Sequence, residues 1–236
     1  AMSDFGRISE RKGLIRAIKV PRWLSYLARR NRLGHVSKQA DQSTHQLLLR
    51  DNWRNRRTIE RAYLSAIAGA KADITLANAY FLPSKALRLA LIRAAKRGVS
   101  VRLLLQGRYE YFMPFHATRA VYLSLLTAGV QIFEYTPSFL HAKVAVVDAY
   151  GPYPWTTVGS SNLDPLSLLL AKEANVAVTG SEIAMRLHVS LDEAITHHAY
   201  QVQLTEWGRT TIWQQFLSTL AYAVMRAILF VTGKRY

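Results

Sequence analysis

The residues best suited to chemistry lie between positions 141 and 162. His141 and Lys143 stand two apart at the start of an apolar run, and Ser160 and Asn162 stand two apart after the next run. Side chains two apart on a strand point to the same face of a sheet. An imidazole can be a nucleophile or a general acid, a lysine is a fixed cation, and serine and asparagine offer neutral donors. The set predicts a phosphoryl-transfer pocket that works without a metal.

The composition argues against a metal site. The chain has no cysteine, and neither a second histidine nor a group of carboxylates accompanies His141 at ligand spacing. We therefore expect no metal and no other cofactor. The alternative interpretation of this stretch is a core histidine beside a solvated lysine.

The elements that must position these residues follow an α/β pattern from about residue 46. Helices alternate with strands, which predicts a central mixed, largely parallel β-sheet flanked by helices on both faces. Ser84 is a plausible helix N-cap and Gly98 the stop of the same helix. The predicted strands are 45–50, 73–83, 99–107, 130–135, 142–148, 155–160 and 173–180, and the predicted helices are 52–70, 84–98, 116–129 and 181–198.

Positive charge dominates the chain. The 236 residues include 31 Lys and Arg against 15 Asp and Glu, a net charge of +16. Residues 1–62 alone hold 15 Lys and Arg and 5 Asp and Glu. Such an excess attracts polyanions, and charge alone does not distinguish nucleic acid from an anionic bilayer.

Both ends of the chain differ from the α/β part. Residues 1–45 interleave Arg and Lys with Leu, Ile, Trp and Tyr, which is typical of a basic amphipathic arm that lies in a membrane surface, or of a solvated linker. Residues 206–236 are apolar, but Gln214, Gln215 and Arg226 interrupt them. Because a charge at midspan is costly, we predict an interfacial amphipathic helix or a helix packed on protein rather than a span. The predicted division is therefore 1–45, 46–205 and 206–236.

One stretch of the chain resembles a known family. The run "HAKVAVVD" followed by "GSSNLD" resembles the HKD motif of the phospholipase D superfamily, H-x-K-x4-D and then G-S-x-N. The stretches "NAYFLP", "GVQIFEY", "TVGSSNLDPLSL" and "EANV" extend the resemblance, over roughly residues 46–200, to the C-terminal half of bacterial cardiolipin synthases, in particular the B type.

The resemblance implies a role for each matching residue. His141 would be the nucleophile that forms a phosphatidyl-histidine, or the acid that protonates the leaving group. Lys143 and Asn162 would hold the non-bridging phosphate oxygens, with Ser160 assisting.

Four further residues complete the predicted site. Glu173 would pair with the catalytic imidazole and fix its tautomer, although a surface salt bridge is the alternative. Asp148 belongs to the motif, and we expect it to pin the turn after its strand. Tyr80 would line the pocket with Ser161, although Tyr80 could equally be an ordinary core tyrosine.

The chain departs from the family pattern in two ways. Ten residues separate Asp148 from Gly159, more than is usual, because "YGPYP" enlarges the connecting turn; a hairpin tip tolerates such an insertion. Members of the superfamily also use two HKD motifs that face each other, and this sequence contains one. The resemblance therefore implies either a homodimer or a missing N-terminal HKD half.

Three functions fit these observations. The first is a phosphatidyltransferase that joins two phosphatidylglycerols into cardiolipin and releases glycerol. The second is a phosphodiesterase, including a dimeric nuclease that needs no metal and takes nucleic acid as its substrate. The third is a non-catalytic scaffold. Apolar side chains among the charges favour the first, with anionic phospholipid as the partner and an interfacial position at the bacterial inner membrane, on its cytoplasmic face.

Overall fold

The computed structural model describes residues 44–109 and 112–207, together with the separate positions 218, 220, 223 and 224. Its strands are β1 (Thr44–Arg50), β2 (Asp73–Asn78), β3 (Ser100–Gln106), β4 (Gln131–Tyr135), β5 (Lys143–Val147), β6 (Trp155–Gly159), β7 (Glu173–Thr179) and β8 (Ala199–Gln201). Its helices are α1 (Thr58–Gly69), α2 (Lys85–Lys96), α3 (Phe112–Arg119), α4 (Tyr122–Leu126), α5 (Pro165–Leu169), α6 (Ser181–His198) and α7 (Leu204–Trp207).

The described strands form one mixed sheet in the order β1-β7-β6-β5-β2-β3-β4-β8. Within it, β2 pairs in parallel with β3, and β3 with β4. The other five neighbouring pairs are antiparallel. The prediction of a mixed sheet is confirmed, but the prediction that it is largely parallel is wrong. The helices between β2 and β4 provide crossovers, whereas β5 and β6 are joined by a turn without a helix, as antiparallel neighbours are.

Helices cover both faces of the sheet, as predicted. On one face, α1 buries Ile59, Tyr63 and Ile67, and α2 buries Leu87, Leu91 and Ala94. Spacings of three and four residues put each set on one side of its helix, where it packs on the apolar strands. On the other face, Leu191 and Ile195 of α6 join a second apolar cluster. The helices therefore cover the two faces of the sheet, and the ends of its strands connect to loops.

Local signals in the sequence place α2 accurately. The Ser84 side chain accepts a hydrogen bond from the backbone N–H of Leu87, which confirms the predicted N-cap. Gly98, just beyond the helix, has φ +90, a value that favours glycine. The predicted helix 116–129 is instead two short helices, α3 and α4.

The predicted basic arm lies outside the described residues, apart from the first residues of β1, and so does most of the predicted C-terminal helix. The three-part division of the chain therefore stays a prediction. Where the structure does describe helices, each is too short or too polar to cross a bilayer.

Candidate active site

Four strand ends meet at one edge of the sheet because β2, β5, β6 and β7 alternate in direction. Asn78 at the end of β2 is the register partner of Lys143 at the start of β5. Gly159 at the end of β6 is the partner of Asn175 in β7. Opposed residues in antiparallel strands share a face. Polar side chains from distant parts of the sequence are thereby gathered on the α1 and α2 side of this edge.

His141 lies two residues before β5, so the expectation that it shares the strand with Lys143 is wrong. Its side chain is exposed. The segment nevertheless continues the line of β5, because the Ala79 N–H donates to the Ala142 carbonyl at 3.0 Å. Lys143 is 7% exposed, and its Nζ donates to the His141 carbonyl at 3.1 Å. The ammonium is thus held beside the residue that carries the accessible imidazole.

Asn162 is joined to this region through Tyr80. The Asn162 Oδ1 accepts a hydrogen bond from the Tyr80 N–H at 3.4 Å, and Asn162 is 8% exposed. The pairing of Asn78 with Lys143 puts Tyr80 level with His141 when the antiparallel register is continued. The side-chain amide of Asn162 therefore contacts the backbone of Tyr80, which lies level with His141. That the Tyr80 ring lines a substrate pocket stays a prediction.

The turn that carries Asn162 is held on both sides by asparagines that the sequence analysis missed. The Asn175 Oδ1 accepts from the Ser161 N–H at 3.3 Å, and the Asn78 Oδ1 accepts from the Leu163 N–H at 3.1 Å. Both asparagines are 1% exposed. The available signal was an asparagine at the limit of an apolar strand, at the end of "ITLAN" and near the start of "EANVAV". An amide in such a position is usually hydrogen-bonded within the protein.

Gly159 makes room for one of these contacts. A Cβ at this position would lie 2.3 Å from the Asn175 Oδ1 and 2.4 Å from its Cγ. The glycine of the G-S-x-N sequence is therefore required by the close approach of a neighbouring side chain.

Ser160 and Glu173 form a pair at the same edge. The Ser160 hydroxyl donates a short hydrogen bond to the Glu173 carboxylate, and the Ala174 N–H donates to the Ser160 Oγ at 3.1 Å. Among the residues described, no hydrogen bond joins Glu173 to His141, so the predicted pairing of these two remains a prediction. Glu173 is the register partner of Arg50. Burial is the main cause that lowers the pKa of Arg50, and the negative charge of Glu173 acts in the opposite direction.

Two predicted site residues have other positions than expected. Ser161 is fully buried, and its hydroxyl donates to the Asn162 carbonyl at 3.2 Å, so the prediction that it contacts substrate is wrong. Asp148, which belongs to the motif, lies beyond the opposite end of β5, away from the other predicted site residues. Its carboxylate accepts from the N–H groups of Lys71, Ala72 and Asp73 at 2.7–3.1 Å, which agrees with the expected structural role.

In the two stretches that the structure describes, no group of three or more His, Cys, Asp or Glu residues is placed to hold a metal ion. What the edge offers is an exposed imidazole, a buried ammonium and a buried carboxamide.

Comparison with known families gives a match over residues 63–195 to the family described as "Cardiolipin synthase, PLD-like domain". The cardiolipin synthase B of Escherichia coli strain K12 is 38% identical over 198 residues, which are 84% of this chain and 47% of that protein. The minor cardiolipin synthase ClsB of Bacillus subtilis is 33% identical over 58% of this chain and 33% of its own length. The chain thus spans about half the length of the E. coli relative.

Solved structures share the fold. A phospholipase D family member, Nuc from Salmonella typhimurium, superposes with a TM-score of 0.56 at 20% identity and covers 69% of this chain and 99% of its own. The phosphatidylserine synthase of Haemophilus influenzae gives a TM-score of 0.59 at 14% identity over 84% of this chain and 49% of its own. At these identities the likeness concerns the fold alone.

Proposed function

The chain belongs to the cardiolipin synthase, PLD-like domain family, and from that membership we propose that it is one catalytic half of a phosphatidyltransferase that makes cardiolipin from two phosphatidylglycerols. The observation that carries this proposal is the grouping at one sheet edge of the exposed His141, the buried Lys143 and Asn162 beside Tyr80. Those are the groups that a covalent transfer of a phosphorus atom needs.

In the first step, a ring nitrogen of His141 attacks the phosphorus of one phosphatidylglycerol. A P–N bond forms, and the P–O bond to the head-group glycerol breaks. The departing glycerol oxygen takes a proton from a histidine of a second motif. Lys143 and Asn162 donate to the non-bridging oxygens, where they oppose the charge that grows in the transition state.

In the second step, a hydroxyl of another phosphatidylglycerol gives its proton to the histidine of the second motif and attacks the same phosphorus. The P–N bond breaks and cardiolipin leaves. The Glu173 carboxylate would orient an imidazole at this edge, with Ser160 supporting it. The steps balance without a metal or a redox partner.

A second phospholipase D-like domain would supply the other histidine. Part of the sheet face opposite α1 and α2 carries exposed apolar side chains on β1, β7 and β6, namely Leu47, Val176 and Val158, with Leu49 beside them. Register pairs Leu47 with Val176, and Val176 with Val158, so they form a continuous row. An exposed apolar row of this kind is typical of an interface. Glu173 begins β7 and Ser160 directly follows β6, so a domain bound here would lie beside the site.

We propose that the protein binds the surface of the bacterial cell membrane from the cytoplasmic side. The net charge of +16 favours a surface rich in anionic lipid. Phosphatidylglycerol is both the anion that attracts the protein and its substrate.

The test is to incubate the purified protein with phosphatidylglycerol in detergent and to measure cardiolipin and glycerol, with the His141→Ala protein as control. The proposal expects both products in equal amounts from the native protein and neither from the variant. A second arm adds the missing half of a related synthase, which separates a homodimer from a two-half assembly. Metal-independent cleavage of plasmid DNA, with no cardiolipin in either arm, would contradict the proposal.

A further inference from the structure

A cavity of about 410 Å³ lies between the first turns of α1 and α2 and the end of α5. Three cations line it: Arg57 just before α1, Arg61 from α1, and Lys85 from α2. The positive ends of two helix dipoles add to their charge. A cavity of this size can hold a phosphate group together with part of an attached chain.

One carboxylate lies in the same cavity, and its charge is already engaged. Glu60 accepts a hydrogen bond from the Ser84 hydroxyl at 2.6 Å and lies 4.0 Å from the Arg57 Nε. Within the part of the chain that the structure describes, Arg61 and Lys85 form no ion pair with an acidic residue. The cavity therefore keeps two positive charges that an anion could neutralise.

The rest of the lining is apolar. Leu64 of α1, Leu89 of α2 and Leu169 at the end of α5 face the same space. Cations at the helix starts and leucines farther along are the arrangement that fits an amphiphile with an anionic group at one end. Inorganic phosphate or nucleic acid would leave the leucines without a partner.

Two short segments of chain connect the cavity to the candidate active site. Phe81 forms a β-bridge with Leu163, the residue after Asn162, and the chain reaches the cavity lining at Ser84 only three residues later. On the other side, α5 begins at Pro165 and ends at Leu169 in the cavity wall. Short segments of chain thus link both walls to the turn that carries Asn162.

We propose that this cavity is the subsite for the second phospholipid, the acceptor whose hydroxyl attacks the phosphatidyl-histidine. Its phosphate binds between Arg61 and Lys85, and the start of an acyl chain lies along Leu64, Leu89 and Leu169. This inference rests on the proposed function, which requires two anionic lipids at one site. The donor's phosphorus is at His141, so the acceptor's phosphate needs cations of its own.

The experiment compares two double variants with the same loss of charge. Arg61→Gln with Lys85→Gln alters the cavity, and Arg93→Gln with Lys96→Gln alters the opposite end of α2. Binding of dihexanoyl-phosphatidylglycerol is measured by calorimetry, with dihexanoyl-phosphatidylcholine and inorganic phosphate as parallel probes. We expect the cavity variant to bind the anionic lipid about tenfold more weakly than the matched control. In the native protein, contacts with the leucines should make the lipid bind more tightly than inorganic phosphate. Equal affinities in the two variants would overturn the proposal.

A third variant and an activity readout complete the test. Glu60→Gln keeps a hydrogen-bond acceptor for Ser84 but removes a negative charge, so it should tighten lipid binding; unchanged or weaker binding contradicts the subsite. In the active assembly, the cavity variant should form less cardiolipin while still releasing glycerol by hydrolysis of the donor. Absence of all activity in the native protein would instead count against the proposed function, and the binding measurements would still decide the subsite.

Discussion

The two ends of strand β5 carry residues of the same motif and use them in opposite ways. At its start, His141 exposes its imidazole, and Lys143 donates to a backbone carbonyl of that same segment. At its end, the Asp148 carboxylate accepts hydrogen bonds from three consecutive backbone N–H groups. The Asp148 N–H donates to the Asp73 carbonyl at 2.8 Å. About 20 Å of extended chain separates the two. One sequence motif therefore combines an end that exposes its imidazole with an end whose carboxylate is bound by the backbone.

The difference lies in where the polar groups find their partners. A group that must bind substrate has to keep donors directed at solvent, whereas a group that stabilises the fold has its hydrogen bonds satisfied within the protein. Asn78 and Asn175 combine the two roles. Their side chains are hydrogen-bonded within the protein, but the turn that they hold carries the predicted substrate-binding residue Asn162. Four substitutions test this distinction.

His141→Ala should have the largest effect on activity. Removal of the nucleophile should reduce cardiolipin formation by about a thousandfold or more. Because the side chain is exposed, the midpoint of thermal unfolding should change little. Both quantities are measured on the same preparation, and a large loss of stability would show that the imidazole also serves the fold.

Lys143→Gln should come next, with a rate about a hundredfold lower. The amide keeps a donor for the His141 carbonyl but lacks the charge that opposes the phosphate oxygens. Steady-state kinetics with phosphatidylglycerol should show the loss mainly in kcat. A change confined to KM would mean that the ammonium binds the ground state and transition state equally.

Asn175→Leu should slow the reaction about tenfold and lower the free energy of unfolding by about 1–3 kcal/mol, because the buried Ser161 N–H loses its acceptor. Asn175→Asp, which keeps an oxygen there, is the matched control and should retain more activity. Equal rates in the two variants would show that the position of the turn does not depend on this contact. Chemical denaturation gives the stability of each.

Asp148→Ala should have the smallest effect on rate. The loss of a carboxylate that holds three N–H groups, together with a φ of +51 that alanine tolerates poorly, should lower the free energy of unfolding by about 2–4 kcal/mol. Activity per folded molecule should stay near the native value. Asp148→Asn should recover part of the stability, and a large loss of kcat in that variant would remove the distinction between the two ends.

The parts of the structure that could be predicted from the sequence rest on local interactions. Ser84 and Gly98 mark the limits of α2 through contacts within a few residues, and apolar runs located most of the strands. Pairing depends on contacts distant in sequence, so the sequence indicated the hairpin of β5 and β6 but missed the predominance of antiparallel pairs in the rest of the sheet.

The same limit applies to the site. The motif identified His141, Lys143 and Asn162, but burial of Ser161 and the support from Asn78 and Asn175 depend on neighbouring strands. No spacing within one segment reports such contacts. Residue type predicted the chemistry, and only the register between strands revealed what holds it in place.

The enlarged turn between β5 and β6 lies at the Asp148 end of the sheet, away from the predicted catalytic residues. Tyr153 at its tip is 88% exposed, and Pro152 beside it is exposed as well. A fluorophore or a short epitope could therefore be inserted here at the end of the sheet opposite the candidate active site. With such a reporter on this turn, energy transfer between two labelled domains would show directly how many of them come together on a vesicle.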